Sequence, residues 1–366
     1  MYKCEILADS LNPFGDRLTT FKITFPRIVL SEFNTHRMFS RNSASSRAIP
    51  FKKMVKMVEE NPFIPIAWQK EHKGIQGIEY FTETKDILEK EMYWITASKS
   101  AISMAQKLNN HNTTKQLCNR LLEPFMWHTV IVTSGKEGLD NFFELRCPQY
   151  EFIYNDETPS KIFRSKKDCS EWYKDEFSTN DNPYKTDLEW LQINYSQADI
   201  HIQAIAELMW DAYNESKPEE LQAGEWHIPF GDNIDNEKIG DVIYPNVPLP
   251  YNIIDYSKEK VKIATARCAR ISYETLGDEP KIDYAADLRL HDNLLASGHF
   301  SPFEHVARVM SDEEYYSYIN GNFTEETKVD SNGFIDISTH VNNLNKFGWC
   351  NNFKGFIQYR YEVCNF

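Results

Sequence analysis

The chain of 366 residues lacks the patterns that assign many proteins to a class at once. No apolar run approaches the roughly 20 residues of a membrane-spanning helix, and the first residues, Met-Tyr-Lys-Cys-Glu, show no signal-peptide pattern. The seven cysteines are scattered without a Cys-x-x-Cys pair, which indicates reduced thiols in a cytoplasmic protein without structural zinc. The ten histidines show neither His-x-x-x-His nor His-Glu-x-x-His spacing, so we predict no metal site.

The chain also lacks internal repeats and a surplus of positive charge. The 40 Lys and Arg residues are outnumbered by 54 Asp and Glu residues, which gives a net charge of −14. Because nucleic-acid binding needs broad basic cover, this balance excludes a general polyanion-binding surface. The hydrophobic fraction of 41% and the aromatic fraction of 14% suffice for a packed core. A small anionic ligand in a local basic pocket is compatible with this composition.

Such a pocket is indicated by residues 35–47, which read Thr-His-Arg-Met-Phe-Ser-Arg-Asn-Ser-Ala-Ser-Ser-Arg. Arginine binds phosphate through two parallel N–H donors, and serine and asparagine complete a shell around its oxygens. The run combines cationic side chains with hydroxyl and amide groups: His36, Arg37, Arg41 and Arg47 with Ser40, Asn42, Ser43, Ser45 and Ser46. An exposed loop rich in Arg and Ser would have the same composition, so other parts of the chain must decide between the two.

The spacing His-Arg-x-x-Ser-x-Asn-x-x-Ser-x-Arg in this run resembles the signature of the flavin-dependent thymidylate synthases. Five other blocks resemble segments of the same family, and together they cover most of residues 19–146, 196–215 and 262–310. They are Asn119-Arg-Leu-Leu-Glu-Pro124, Asn141-Phe-Phe-Glu-Leu-Arg146, Gln197-Ala-Asp-Ile200, Ala269-Arg-Ile-Ser-Tyr273 and Ser301-Pro-Phe-Glu-His305, the last preceded by His299.

The order of these blocks differs from that of the family. There the blocks that correspond to 269–273 and 299–305 precede the signature, whereas here they follow it, so the chain resembles a circular permutation of the family with insertions. We predict a single catalytic domain over 1–366, with an insertion at 151–195. Residues 216–260 would connect the permuted halves, and residues 311–366 would be an extra C-terminal segment.

The resemblance implies an α/β (α+β) fold with a mainly antiparallel sheet and flanking helices. It implies the methylation of dUMP to dTMP, with FAD as cofactor and with methylenetetrahydrofolate and NADPH as cosubstrates. A homotetramer whose sites are shared between subunits is implied as well. We expect neither nucleic acid nor a membrane as a partner.

The resemblance also implies residue roles by motif position. The implied catalytic residues are Arg146, which contacts the pyrimidine, and His299, near the folate and flavin rings. The implied substrate-binding residues are Glu32, Ser43, Ser45, Arg47, Arg120 and Arg146, of which Ser45, Arg47 and Arg120 hold the nucleotide phosphate. The implied flavin-binding residues are His36, Arg37, Asn141, Ser301 and Glu304.

Five positions depart from the family pattern and keep alternatives open. Thr35 replaces an Arg, Glu32 and Ser43 stand where Gln and Glu are common, and Gly135 and Glu137 replace Asn and Arg at flavin positions. One alternative is a related pyrimidine deoxynucleotide hydroxymethylase. The other is a non-catalytic nucleotide-binding protein that has lost the flavin.

Purely structural explanations exist for several of these residues. An arginine on an amphipathic helix, such as Arg120, is usually solvated or ion-paired, and Arg146 at a helix end would complement the helix dipole. His299 after Gly298 would cap a helix end. Cys147 beside Arg146 invites a nucleophilic role, because a neighbouring cation lowers a thiol pKa. The resembling family activates the pyrimidine without a cysteine, so we predict that Cys147 is not a nucleophile.

Local patterns predict the main elements. We expect strands over 19–25, 125–133 and 354–364, and helices over 90–109, 197–214, 257–273 and 283–296. The permutation further predicts that 303–310 lies in the same sheet as 19–25. Trp226, His227 and the segment Gln358-Tyr-Arg360 have a site-like composition outside the matched blocks, but no mechanism follows from them.

Overall fold

The computed structural model describes residues 1–73, 77, 79–153, 160–245, 254–273, 282–319 and 352–364. Within these ranges there are ten strands: β1 (Lys3–Leu11), β2 (Arg17–Pro26), β3 (Ser40–Ser43), β4 (Trp127–Gly135), β5 (Tyr150–Phe152), β6 (Lys161–Phe163), β7 (Glu219–Glu220), β8 (Trp226–His227), β9 (Ala307–Val309) and β10 (Phe356–Gln358). The same ranges contain thirteen α-helices: α1 (Leu30–Phe33), α2 (Phe51–Glu60), α3 (Thr84–Asn110), α4 (Lys115–Arg120), α5 (Lys136–Arg146), α6 (Lys166–Phe177), α7 (Asp187–Gln192), α8 (Ile200–Glu215), α9 (Asn236–Ile243), α10 (Ser257–Arg270), α11 (Tyr284–Ala296), α12 (Asp312–Ile319) and α13 (Tyr359–Val363).

The central element is a five-stranded sheet in the order β3-β4-β2-β1-β7. The pairs β1/β2, β2/β4 and β3/β4 are antiparallel, and only the short β7 runs parallel to β1. The predicted α/β fold with a mainly antiparallel sheet and flanking helices is therefore confirmed. No helix of the described ranges is both long and apolar enough to cross a membrane.

Strand β2 is buried on both faces of this sheet, and the two faces have different neighbours. On one face Phe21, Ile23 and Phe25 join a core that contains residues of α5 and α8. On the opposite face Leu18 packs with residues of β9 and β10. The same face of β4 packs Ile131 against Cys268 of α10. The sheet is thus the middle layer of three.

A chain of polar side chains connects the sheet to the layer that contains β8 and β9. His227 on β8 lies 2.8 Å from both Ser10 Oγ, through Nδ1, and Thr20 Oγ1, through Nε2. The Thr20 and Thr133 hydroxyls are 2.7 Å apart, and Thr133 Oγ1 is 2.8 Å from His305 Nδ1. All five residues are buried. His227, which had no mechanism in the sequence, therefore holds two layers together.

Two strand predictions are wrong. Residues 303–310 do not join the sheet of 19–25, because a 3₁₀ turn covers Ser301–Glu304 and β9 then pairs with β8 and β10 in a separate three-stranded sheet. Pro302 lacks the N–H that a sheet ladder requires, so the chain turns there. The segment 354–364 is a strand only over Phe356–Gln358, because its partner β9 is three residues long and the chain continues as α13.

The predicted insertion at 151–195 contributes β5, β6, α6 and α7, which pack around a small aromatic cluster that includes Tyr150, Phe163 and Trp190. The predicted connector at 216–260 contributes β7, β8 and α9. Parts of three predicted segments lie outside the described residues: 154–159 of the insertion, 246–253 of the connector, and 320–351 and 365–366 of the extra C-terminal segment.

Candidate functional site

The signature run contributes the edge strand of the central sheet. It includes β3, whose only strand partner among the described residues is β4, and which also contacts the 3₁₀ turn Ser301–Glu304. Residues alternate between faces along a strand. Ser40 and Asn42 lie on the face of Thr133 and Ile131, towards α10 and β10, whereas Arg41 and Ser43 lie opposite Val132 and Val130, on the face of α5 and α8.

On the α5 face, Arg146 is held by three residues of the predicted site region. Its Nε donates to His36 Nε2 at 2.9 Å, Nη1 pairs with the Glu32 carboxylate, and Nη2 lies 3.4 Å from Thr35 Oγ1. The His36 ring packs edge-on against Phe142 of α5 with ring centroids 4.8 Å apart. Arg146 ends α5, so the helix and the segment after β2 together orient one guanidinium group.

The electrostatics of this cluster favour a neutral imidazole. Burial, followed by the charges of Arg146 and Arg41, lowers the pKa of His36 to about 4. A neutral ring can accept the Arg146 N–H at Nε2, which an imidazolium cannot. Burial raises the pKa of Glu32, and Arg146 opposes that shift. His36 therefore acts as an acceptor that positions Arg146 at neutral pH.

The end of the signature run is fixed by a buried asparagine. Asn119 Nδ2 donates to the carbonyls of Ser46 at 2.6 Å and Ile49 at 3.0 Å. Because Ser46 precedes Arg47 and Asn119 precedes Arg120, these bonds hold the backbones of the two arginines side by side. Arg47 and Arg120 are both exposed. The two segments that carry the predicted phosphate-binding pair are therefore held together.

A second polar cluster supports the same loop from below. Ser46 Oγ donates to Glu123 Oε1 at 2.6 Å, and the same carboxylate oxygen lies 3.3 Å from Arg27 Nη2. Burial is the main cause that lowers the pKa of Arg27, and the nearby charge of Arg120 adds to it. Ser45, also predicted to hold phosphate, donates its backbone N–H to the Ser272 carbonyl at 3.2 Å.

On the other face of β3, the C-terminal blocks contact the signature. Asn42 Nδ2 donates to the Cys268 carbonyl at 2.6 Å, and the Ser301 hydroxyl lies 3.5 Å from Asn42 Oδ1. Glu304, three residues later, forms an ion pair with Arg360. Residues separated by more than 200 positions therefore meet at one strand, as the permuted order of the blocks predicts.

Four predicted site residues are not joined to these clusters by a side-chain hydrogen bond or ion pair between described residues. His299 lies after α11, where its backbone N–H bonds to the Leu294 carbonyl and its Nδ1 is 2.9 Å from Ser297 Oγ. These contacts agree with the alternative given by the sequence, in which His299 caps a helix end. Asn141 on α5 and Arg37 are exposed, and Ser43 is half-buried on β3. The pKa of Arg41 is lowered mainly by burial, and the positive charge of Arg37 adds to this shift.

The structure adds residues that the motif analysis did not assign. Thr35 contacts Arg146, and Gln358 Nε2 donates to Ser40 Oγ at 3.2 Å. Arg360 forms an ion pair with Glu304, and the charge of Glu304 also acts on Arg41. Arg41 lies within the signature run, and Gln358 and Arg360 lie in the segment with a site-like composition. The sequence therefore pointed to both segments, but no motif spacing linked one to the other.

Cys147 is part of the core and does not face the site. It is 1% exposed, and burial raises the pKa of its thiol. The cation that opposes this shift is Arg164, whereas Arg146 is bound to His36 and Glu32. A thiolate nucleophile at this position would therefore be strongly disfavoured.

A cavity of about 520 Å³ lies at the opposite edge of the sheet. It is lined by β1, by Trp226 and by the charged residues Asp9, Lys217, Asp232 and Lys260, among others, and by none of the predicted site residues. This cavity therefore does not mark the edge formed by the signature run.

No protein-family model and no curated protein matches the chain. Among solved structures, it is similar to the UMP/dUMP methylase PolB from Streptomyces cacaoi bound with 5-Br dUMP, at 16% identity and a TM-score of 0.36 over 54% of this chain and 66% of that chain, slightly less than two thirds. It is similar to the same methylase bound with 5-Br UMP, at 15% identity and a TM-score of 0.38 over 59% of this chain and 89% of that chain. It is also similar to the flavin-dependent thymidylate synthase ThyX from Helicobacter pylori complexed with FAD and dUMP, at 15% identity and a TM-score of 0.28 over 54% of this chain and 67% of that chain. The likeness predicted from the motifs is confirmed in that these structures include a member of the family, but similarity this weak assigns no residue role.

Proposed function

We propose that this protein is a flavin-dependent enzyme that methylates dUMP to dTMP, with methylenetetrahydrofolate as carbon donor and NADPH as reductant. One observation carries the proposal. Blocks that are far apart in the sequence, around Glu32, Arg47, Arg120, Arg146 and Ser301, converge on the edge formed by the signature run. Chance matches to separate motifs would have no reason to converge in this way.

Arg146 is the residue proposed to activate the pyrimidine. Positive charge and N–H donors placed where a ring becomes negative stabilise the transition state, provided that they are oriented before the reaction. His36 and Glu32 supply that orientation by fixing Nε and Nη1 of the guanidinium group. His36 is thus a positioning residue, and Glu32 is both a partner of Arg146 and the proposed contact to the substrate.

Arg47, Arg120 and Ser45 are proposed to hold the phosphate of the nucleotide. The two exposed arginines provide charge, and the Asn119 clamp keeps their backbones adjacent without using their side chains. Phosphate contacts by arginine forks are charge-assisted and stronger than neutral hydrogen bonds. Because the net charge of the chain is −14, anions are disfavoured on the rest of the protein and favoured only at this local basic surface.

The other end of the edge fits an anionic cofactor such as FAD. Arg41 Nη1 is buried and has no hydrogen-bond partner among the described residues, and Arg37 beside it is exposed. An unpaired buried guanidinium nitrogen is costly unless a ligand completes its bonds. When bound, FAD would supply the hydride, and His36, Arg37, Asn141, Ser301 and Glu304 are the residues proposed to hold it.

The test is flavin binding followed by turnover. We expect purified protein to bind FAD in a fluorescence titration and to convert dUMP to dTMP when the carbon donor and NADPH are added. The Cys147→Ser variant should keep most of this turnover, because the thiol is buried away from the site. Arg146→Ala should retain FAD binding and lose turnover by about 100-fold or more, as expected for one preorganised electrostatic group.

The outcomes separate the alternatives. Protein that binds dUMP but no flavin would show the non-catalytic nucleotide-binding protein. Flavin binding with formation of a hydroxymethylated product would show the hydroxymethylase. The same assay with UMP in place of dUMP reports whether the 2′-hydroxyl is tolerated.

A further inference from the structure

The chain of buried polar side chains between the two layers ends at the cavity beside β1. Ser10 and Trp226 line this cavity of about 520 Å³. His227, the residue after Trp226, lies with its Nδ1 2.8 Å from Ser10 Oγ. Every residue that lines the cavity lies outside the blocks that resemble the thymidylate synthases. The cavity is therefore separate from the proposed methylation site.

The hydrogen atoms of this chain are assigned together. Burial lowers the pKa of His227 and of His305 far below neutrality, so each ring carries one N–H and one bare nitrogen at neutral pH. The hydroxyls of Thr20 and Thr133 each lie between two partners of the chain. A buried hydroxyl that accepted from both partners would leave its own hydrogen without an acceptor. The hydrogen bonds therefore all point the same way along the chain.

His305 determines which way they point. Its Nδ1 lies 2.8 Å from Thr133 Oγ1, whereas its Nε2 is buried and has no partner among the described residues. Because a buried N–H without an acceptor is rare, the hydrogen belongs on Nδ1, which donates to Thr133. The bonds then run through Thr133 and Thr20 towards His227. Nε2 of His227 accepts, so its Nδ1–H donates to Ser10 Oγ.

This direction makes Ser10 a donor at the wall of the cavity. Ser10 is 2% exposed, and its hydroxyl has no second hydrogen-bond partner among the described residues. Since the oxygen accepts from His227, its own hydrogen is left without an acceptor. Buried donors in folded proteins are nearly always paired, so the hydroxyl requires an acceptor atom from a molecule in the cavity.

The charges of the lining favour an anionic acceptor. Lys217 and Lys260 form no hydrogen bond or ion pair with another residue of the described ranges. The buried carboxylate of the lining, Asp9, is neutralised by an arginine of β2 at 2.6 Å. Glu219 and Asp232 are exposed, where water weakens their interactions. The half-buried Lys260 is thus the least solvated of the unpaired charges, and it is positive.

Trp226 provides a flat apolar wall. Its half-buried ring packs edge-on against Tyr359 with centroids 5.7 Å apart, and it packs with Ile228 against the apolar cluster that contains Val306. These contacts fix the indole. A fixed indole at the wall of a cavity suits a planar ring, which stacks on it or meets it edge to face.

We propose that this cavity is a binding site for a planar organic anion of the aromatic carboxylate class. The ring packs on Trp226, and the carboxylate accepts from the Ser10 hydroxyl and pairs with Lys260 and Lys217. The volume lies within the roughly 300–1,000 Å³ of small-molecule sites. The site does not depend on the proposed methyl transfer, because no residue of the signature run lines the cavity.

The first test compares two probes that share one ring, 2-naphthoate and the neutral 2-naphthamide, by isothermal titration of the full-length protein. We expect the carboxylate to bind about 10-fold or more tightly than the amide, as one charge-assisted contact predicts. Lys260→Ala should remove most of this difference, whereas Trp226→Leu should weaken both probes alike. Lys258→Ala, which removes an exposed lysine of the same helix, is the matched control and should change neither affinity.

Several results of this titration would overturn the proposal. One is the absence of saturable 2-naphthoate binding, and another is equal affinity for the carboxylate and the amide. A carboxylate affinity that Lys260→Ala and Lys217→Ala leave unchanged would place the probe elsewhere. Tighter binding of 2-naphthylmethylammonium than of 2-naphthoate would show that Glu219 and Asp232 determine the specificity.

The second test reads the direction of the chain in wild-type protein, so it does not depend on a variant that folds. Nitrogen-15 NMR of labelled histidines, assigned with His227→Gln and His305→Gln, should show the hydrogen on Nδ1 in both rings. Hydrogen on Nε2 in both rings would reverse the chain and make Ser10 an acceptor, which would refute the site. Protein that binds 2-naphthoate here but neither FAD nor dUMP would refute the proposed enzyme and retain this site. FAD-dependent turnover without 2-naphthoate binding would do the reverse.

Discussion

At the scale of single residues, two of the five departures from the family pattern contact the same partner. Glu32, where the family commonly has Gln, pairs with Arg146, and Thr35, where it has Arg, lies 3.4 Å from Arg146 Nη2. An arginine at position 35 would place a second cation beside Arg146, whereas threonine offers a hydroxyl. The two departures are therefore consistent with each other, because both surround one guanidinium group with acceptors.

Arg47 gives the residue-scale prediction. It is exposed, and no described residue forms a hydrogen bond or ion pair with it, so its fork is available to a ligand. Arg47→Ala should weaken dUMP binding by about 10–100-fold, since a charge-assisted contact contributes roughly 1.5–3 kcal/mol. Deoxyuridine, which lacks the phosphate, should bind the variant and the wild type equally in isothermal titration.

The control for Arg47 is Arg289→Ala, which removes an exposed arginine of α11 and should change neither affinity. If Arg47→Ala weakened the nucleotide and the nucleoside by the same factor, the residue would act on the base or on the fold, and its assignment to the phosphate would be wrong.

At the scale of elements, periodicity predicts the parts that one local rule controls. The strand at 19–25 lies within β2, and the helices predicted at 90–109 and 197–214 correspond to α3 and α8. Thr114 caps α4, because its side chain accepts a hydrogen bond from the Gln116 N–H. Helix spacing and capping depend on neighbouring residues, so the sequence contains enough information for them.

Elements that depend on distant partners could not be predicted in this way. Strand β1 has a register shift between Ile6 and Ala8, which interrupts the alternation that would have indicated a strand. The end of β10 depends on the length of β9, and the placement of 301–304 beside β3 depends on the whole chain. The segment Gln358-Tyr-Arg360 had a site-like composition in the sequence, but only the structure shows that Arg360 pairs with Glu304.

The clamp between α4 and the signature loop gives the element-scale prediction. Asn119 is fully buried and holds the carbonyls of Ser46 and Ile49. Asn119→Ala leaves two buried carbonyls unpaired, so the free energy of unfolding should fall by roughly 1–3 kcal/mol or more. Affinity for dUMP should fall as well, because Arg47 and Arg120 lose their common support.

Urea unfolding and dUMP titration measure these two effects. Lys115→Ala is the comparison, since it removes a hydrogen bond of 2.9 Å to the Ala48 carbonyl of the same loop, but from an exposed side chain. Its effect on stability should stay within about 0.5 kcal/mol. An Asn119 variant that is destabilised but binds dUMP normally would show that the clamp does not organise the phosphate site.

At the scale of the whole molecule, stability depends on how the central sheet and the three-stranded sheet are joined. His227 and His305 bind the hydroxyls of Ser10, Thr20 and Thr133 between the two layers. Burial is the main cause that lowers the pKa of His227 to about 4 and that of His305 to about 3, compared with 6.5 for an ordinary histidine. Both rings are therefore neutral in the folded protein at neutral pH.

The lowered pKa values of the two histidines determine how the stability of the protein depends on pH. The unfolded chain takes up protons at the two histidines below pH 6.5, whereas the folded chain does not until the pH approaches 4. Stability is thus fully present above pH 6.5 and is lost as the pH falls towards 4. Glu207 acts in the opposite direction, because burial raises its pKa to about 7 and the folded state then binds a proton first.

The prediction is a difference between two pH profiles, which removes the contribution of Glu207. Between pH 7.5 and 5.5, the free energy of unfolding should fall by about 2–3 kcal/mol more in wild type than in the His227→Gln/His305→Gln double variant, at roughly 1.4 kcal/mol per pH unit for each histidine. Urea unfolding at constant ionic strength measures both profiles. The absolute stability of the variant does not matter, since only the slopes are compared. Parallel profiles would mean that the two rings titrate with the same pKa in the folded and the unfolded state, and two neutral histidines would then not join the layers.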